Sequence, residues 1–161
     1  MIAANFFSLA VLGAGVVLGA RAETHTVSFV NNCGFGTPIL EVNGQTVSTG
    51  QSVTFNGPVM DAIAFLQTGG CGDNGEDCAL VEITLENSTS PGSVSSGDIL
   101  LIPPHQFSVP TSFEFIGAMC TGSGASCPDV DCGGPGIGRN PDDPQVVCVG
   151  NNVGVVITFC N

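Results

Sequence analysis

The stretch Leu80-Val81-Glu82-Ile83-Thr84-Leu85 decides the fold class. In an extended backbone side chains alternate with a period of two, so Val81, Ile83 and Leu85 share one face and Glu82, Thr84 and the following Glu86 share the other. Upstream, residues 26–30 (Thr-Val-Ser-Phe-Val) alternate in the same way and stop at Asn31-Asn32-Cys33-Gly34. Residues 39–42 and 45–47 flank Asn43-Gly44, the strongest short-range signal for a two-residue hairpin turn. Residues 51–55 alternate again, and the apolar run 59–66 reads as a strand by its length and Gly-rich exit. Downstream, residues 99–102, 106–115, 145–149 and 153–159 complete about nine expected strands, while 87–97 and 122–144 read as Gly/Ser/Pro/Asp-rich loops. No stretch has a convincing amphipathic helical period. Short strands punctuated by Gly, Pro and Asn argue for an all-β sandwich or barrel.

The first twenty residues carry no charged side chain, and the apolar run ends at Ala20-Arg21-Ala22. Small residues flanking such a site are what signal peptidase accepts, so residues 1–22 read as a secretory signal and 23–161 as a single domain. That domain holds all fourteen carboxylates and one strong base, Arg139, a side-chain charge of −13 with no lysine. A surface this negative repels phosphate backbones and anionic lipid. Nucleic-acid binding and membrane association after signal cleavage are therefore not expected, and a basic protein is the favoured kind of charged partner. Eight cysteines lie in the exported part. In an oxidising compartment they read as four disulfides, whose connectivity sequence alone cannot choose among 105 possibilities.

Other chemistry is sparse. Cys-x-x-Cys is absent and His25 and His105 are isolated, so neither a metal site nor a cofactor is expected. Asp73, Asn74, Glu76 and Asp77 could hold calcium, but a turn between Cys71 and Cys78 accounts for them equally well. Gly-x-Ser-x-Gly is absent. The chain has no Trp or Tyr, the residues that sugar-binding platforms favour. Asn87-Ser88-Thr89 is a glycosylation sequon, read here as occupied.

Several stretches, in order, resemble the thaumatin-like family of secreted β-sandwich proteins. They are the opening strand with Asn31-Asn32-Cys33, Cys71-Gly72 with Asp77-Cys78, the strand 80–85, Asp98-Ile99, the segment Phe107-Ser108-Val109-Pro110-Thr111-Ser112-Phe113, and the ending Ile157-Thr158-Phe159-Cys160-Asn161. Typical members have sixteen cysteines and a helical second domain; only 27 residues separate Cys120 from Cys148 here, too few for that domain. The chain is thus similar to the short secreted fungal proteins of basidiomycetes labelled as glycopeptides.

The resemblance implies a disulfide-stapled sandwich of antiparallel strands, with the pairs Cys33–Cys160, Cys71–Cys78 and Cys120–Cys148, and Cys127–Cys132 as the local pair that remains. It also aligns Glu82 and Asp98 with two carboxylates of the family's acidic cleft, where some members bind or hydrolyse β-1,3-glucan. The cleft arginine has no strand counterpart, one wall of the cleft is missing, and Pro103-Pro104 is inserted between Asp98 and Phe107. The function expected is therefore that of a monomeric, non-enzymatic protein of the cell exterior or wall, with cell-wall polysaccharide or a basic protein as partner. The alternative is glucan binding or weak endo-β-1,3-glucanase activity through Glu82 and Asp98.

Overall fold

The computed structural model describes residues 22–117 and 119–160, and all of the expected signal 1–22 except Ala22 lies outside them. Twelve strands follow one another among the described residues: β1 (Thr24–Asn31), β2 (Thr37–Val42), β3 (Gln45–Ser48), β4 (Val53–Asn56), β5 (Val59–Gln67), β6 (Leu80–Leu85), β7 (Ser95–Leu100), β8 (Thr111–Ile116), β9 (Gly124–Cys127), β10 (Ile137–Gly138), β11 (Val146–Cys148) and β12 (Gly154–Phe159). No helix occurs among them. Five strands form one sheet in the order β4-β1-β12-β8-β9; the other runs β10-β7-β6-β5-β2-β3, with β11 also paired to β7.

The alternating segments become strands with the expected faces. In β6, Val81, Ile83 and Leu85 are at most 1% exposed while Glu82 and Thr84 are half-buried. Asn43 and Gly44 both take positive φ, 53° and 69°, and Val42 pairs with Gln45 across them, as a tight hairpin requires. Both sheets feed one apolar cluster. Val27, Phe113, Phe115, Val155, Ile157 and Phe159 enter from the five-stranded sheet; Leu40, Ala64, Val81, Ile83, Leu85 and Ile99 enter from the seven-stranded one. The sheets come close enough that a Cβ on Gly97 of β7 would lie 3.2 Å from Cε2 of Phe113 in β8, so this glycine makes room for the ring.

The structure departs from the sequence reading in four places. There are twelve strands rather than about nine, and two of them, β9 and β10, lie inside the segment 122–144 that reads as loop. β7 begins at Ser95, also inside an expected loop, and ends at Leu100 rather than Ile102. Strand β8 starts only at Thr111, because Pro110 lacks the N–H that a ladder position needs, so residues 106–110 are not strand. Finally, not all neighbours are antiparallel: β1 pairs with β12, and β10 with β7, in parallel.

The four disulfides join Cys33 to Cys160, Cys71 to Cys78, Cys120 to Cys148 and Cys127 to Cys132, the pairs that the resemblance implies. Among the described residues no cysteine is free.

Candidate acidic site on the seven-stranded sheet

Ladder register places the acidic side chains. Glu41 of β2 lies opposite Ile63 of β5, Ile63 opposite Glu82 of β6, and Glu82 opposite Asp98 of β7. Residues directly opposite each other point to the same face, so these four form one row across four strands on the side away from the shared core. Opposed pairs in an antiparallel ladder hold their Cβ atoms about 4.5–5.5 Å apart, which brings Glu82 and Asp98 together. Pro103 and Pro104 come after β7 has ended and leave this register untouched.

One end of the face is roofed. Phe65 and Leu80 point outward, yet they are 1% and 3% exposed. The Cys71–Cys78 loop covers them, with Gly75 at φ 76° so close that a Cβ would lie 2.7 Å from Leu80 Cδ1 and 2.9 Å from Phe65 Cδ1. His105 Nδ1, 2.9 Å from the Gly75 carbonyl, pins the loop. Within it the amide and side chain of Asn74 donate to the two oxygens of Glu76, which occupies the carboxylate internally. No group of three or more His, Cys, Asp or Glu suited to a metal ion occurs among the described residues.

Asp98 is 6% exposed, and its Oδ1 accepts a hydrogen bond of 3.1 Å from Gln145 Nε2. Burial, and then the charge of Glu82, push its pKa up to about 6, against the opposing pull of the Gln145 bond. Gly138 of β10 flanks the carboxyl; a Cβ there would be 2.9 Å from Asp98 Oδ2. The neighbouring Arg139 does not turn toward the acids. Its Nε donates to the Cys132 carbonyl at 2.7 Å and its Nη2 to the Val130 carbonyl, so the guanidinium clamps the Cys127–Cys132 loop. Glu41, 7% exposed, accepts from Thr46 Oγ1 at 3.2 Å at the rim of a cavity of about 270 Å³ that Gln67 and Asp73 also line.

Sequence reasoning named Glu82 and Asp98, and the fold brings them side by side. It missed Glu41, whose membership follows from strand register, and Gln145, which reaches Asp98 by a hydrogen bond from just ahead of β11. A raised carboxyl beside a second carboxylate is the pattern glycoside hydrolysis uses. Here, however, the group that holds the proton is the buried one, and its oxygen is already bonded within the sheet.

Asn87 of the sequon is 8% exposed; its Oδ1 accepts from the Asn152 amide at 2.6 Å. Comparison with protein-family models and with curated proteins finds no match for this chain.

Proposed function

We propose that this chain is an exported, thaumatin-like β-protein of the cell exterior or wall that acts by binding rather than by catalysis, with a cell-wall polysaccharide or a basic protein as its partner. The observation that carries the reading is the burial of one member of the acidic pair: Asp98 is 6% exposed and its Oδ1 accepts from Gln145, so this carboxyl is engaged by the protein and shielded from a bound substrate. Four disulfides suit an oxidising compartment. Two depressions suit a partner, the one beside Glu41 and another of about 450 Å³ over β8 and β9 between Ser112, Glu114 and Ser126.

The test is release of reducing ends from a linear β-1,3-glucan by wild type, Glu82→Gln and Asp98→Asn, with binding to the same insoluble glucan measured in parallel. No turnover by any of the three is expected. Wild-type turnover that falls 100-fold or more in either variant, about 2.7 kcal/mol of lost transition-state stabilisation, would overturn the reading in favour of a glucanase. That second reading is favoured by one fact, the direct opposition of Glu82 and Asp98 on one face.

The reading includes a glycan on Asn87. An N-linked sugar is carried on Nδ2, so it leaves the bond from the Asn152 amide to Oδ1 in place. Endoglycosidase treatment of the exported protein is expected to lower its mass by one N-linked glycan, and an unchanged mass would remove this part.

A further inference from the structure

The chain between Glu23 and His25 is tied to three distant segments. Glu23 Oε1 accepts the Asn87 amide at 2.7 Å and lies 2.9 Å from His25 Nε2, while the Glu23 carbonyl accepts the Gly57 amide at 2.9 Å. The Thr24 amide donates to Asn152 Oδ1 at 2.9 Å, and the Asn152 amide donates in turn to Asn87 Oδ1. Beneath them, the Ser88 amide donates to the Gly150 carbonyl and the Gly150 amide to Ser88 Oγ, joining the same two loops.

The histidine gives this node its chemistry. His25 is 1% exposed, and its Nδ1 is 2.7 Å from the Val153 carbonyl oxygen. A carbonyl oxygen only accepts, so Nδ1 carries a hydrogen, and Nε2 faces the Glu23 carboxyl. Glu23 is the partner that Nε2 faces, and the hydrogen bonds from His25 and Asn87 in turn hold the Glu23 carboxyl below its usual range.

We propose that Glu23 is a docked end-stop: it anchors the amino end of the exported chain to the Asn87 and Asn152 loops and sets the point past which proteolytic trimming cannot proceed without opening them. The proposal rests on the reading that the chain is exported, but not on its ligand. A cut between Ala22 and Glu23 leaves every one of these bonds in place, whereas loss of one further residue removes the partner of His25 Nε2 and the acceptor of the Asn87 amide.

The experiment exposes the exported protein and its Glu23→Gln and His25→Gln variants to a broad-specificity aminopeptidase, reads the new amino end by mass, and follows hydrogen exchange at residues 86–89 and 150–153. Wild type is expected to stop at Glu23. Glu23→Gln keeps the shape and loses the charge; it is expected to be trimmed further and to exchange about tenfold faster in both loops, the effect of losing one charge-assisted hydrogen bond. Trimming of wild type past Glu23 with both loops still protected would overturn the proposal, as would a Glu23→Gln variant indistinguishable from wild type in both readouts. If His25→Gln does not fold, the Glu23→Gln comparison decides alone. A wild-type chain recovered with Met1 at its amino end counts against export instead, and the exchange comparison still tests the anchor.

Discussion

Replacing Cys33 and Cys160 together by serine is expected to lower the unfolding free energy by about 4–5 kcal/mol, the largest effect of any single disulfide in this chain. The bond closes a sequence separation of 127, against 5 for Cys127–Cys132. In the chain-entropy model the unfolded ensemble loses freedom with the logarithm of loop length, so the short bond should contribute only about 2 kcal/mol. The native state gives the long bond little to strain against. Asn31 of β1 already pairs with Phe159 of β12, the Asn32 amide donates to the Phe159 carbonyl, and the Phe29 and Phe159 rings stack at 6.4 Å. A domain of ordinary stability holds about 5–15 kcal/mol, so the double serine variant should lose about a third or more of it. Urea unfolding of the two double variants, Cys33→Ser with Cys160→Ser and Cys127→Ser with Cys132→Ser, is the measurement. Equal losses would mean that loop length does not govern these bonds.

The parallel pairing of β1 with β12 also marks where sequence reading stops. Alternation in residues 26–30 and 153–159 identifies each strand and its buried face, because those signals are local. Which strand lies beside which is not local. The Gly-rich segment 122–144 shows the converse: Gly124 to Cys127 has little strand propensity, and it pairs because Thr111 to Glu114 of β8 present an unoccupied ladder edge. Ser95 and Ser96 are read as loop for the same reason, yet Ser96 faces Thr84 on one side and Val147 on the other. The acidic site was legible to the same degree as the fold. Glu82 and Asp98 stand out only through the resemblance, because alternation places Glu82 on a polar strand face where an acid is ordinarily just solvated. Gln145 looks like any polar residue at the start of a strand until the fold carries it, just ahead of β11, to Asp98.

Stability is expected to rise as pH falls from 8 toward 5, and Asp98→Asn should remove most of that rise. The sign follows from the folded pKa of about 6 against an ordinary value of 3.8. A carboxyl raised on folding keeps a proton that the unfolded chain has released. Its contribution is therefore most favourable below about pH 4 and is lost as pH climbs through about 6. A shift of about two units corresponds to roughly 2–3 kcal/mol between the two ends of that window. Glu23, Glu76 and Asp143 work in the opposite sense: hydrogen bonds hold their carboxyls low, so the stability they add is present above their ordinary range and lost in stronger acid. The side-chain charge of −13 on residues 23–161 also disfavours the compact state as pH rises. That term is nearly the same in wild type and variant, so the difference between their two profiles isolates the carboxyl. Asparagine keeps an oxygen for Gln145 Nε2 and presents an amide to Glu82 in place of a like charge. The variant should match wild type near pH 4 and exceed it by about 2 kcal/mol at pH 8. Parallel profiles from pH 4 to 8 would show that Asp98 is not strained. Glu82→Gln, which removes only the second cause of the raised pKa, should recover the smaller part of the gain, because burial ranks ahead of the neighbouring charge. A full recovery by Glu82→Gln would reverse that order and make charge repulsion, rather than burial, the force that keeps the proton on Asp98.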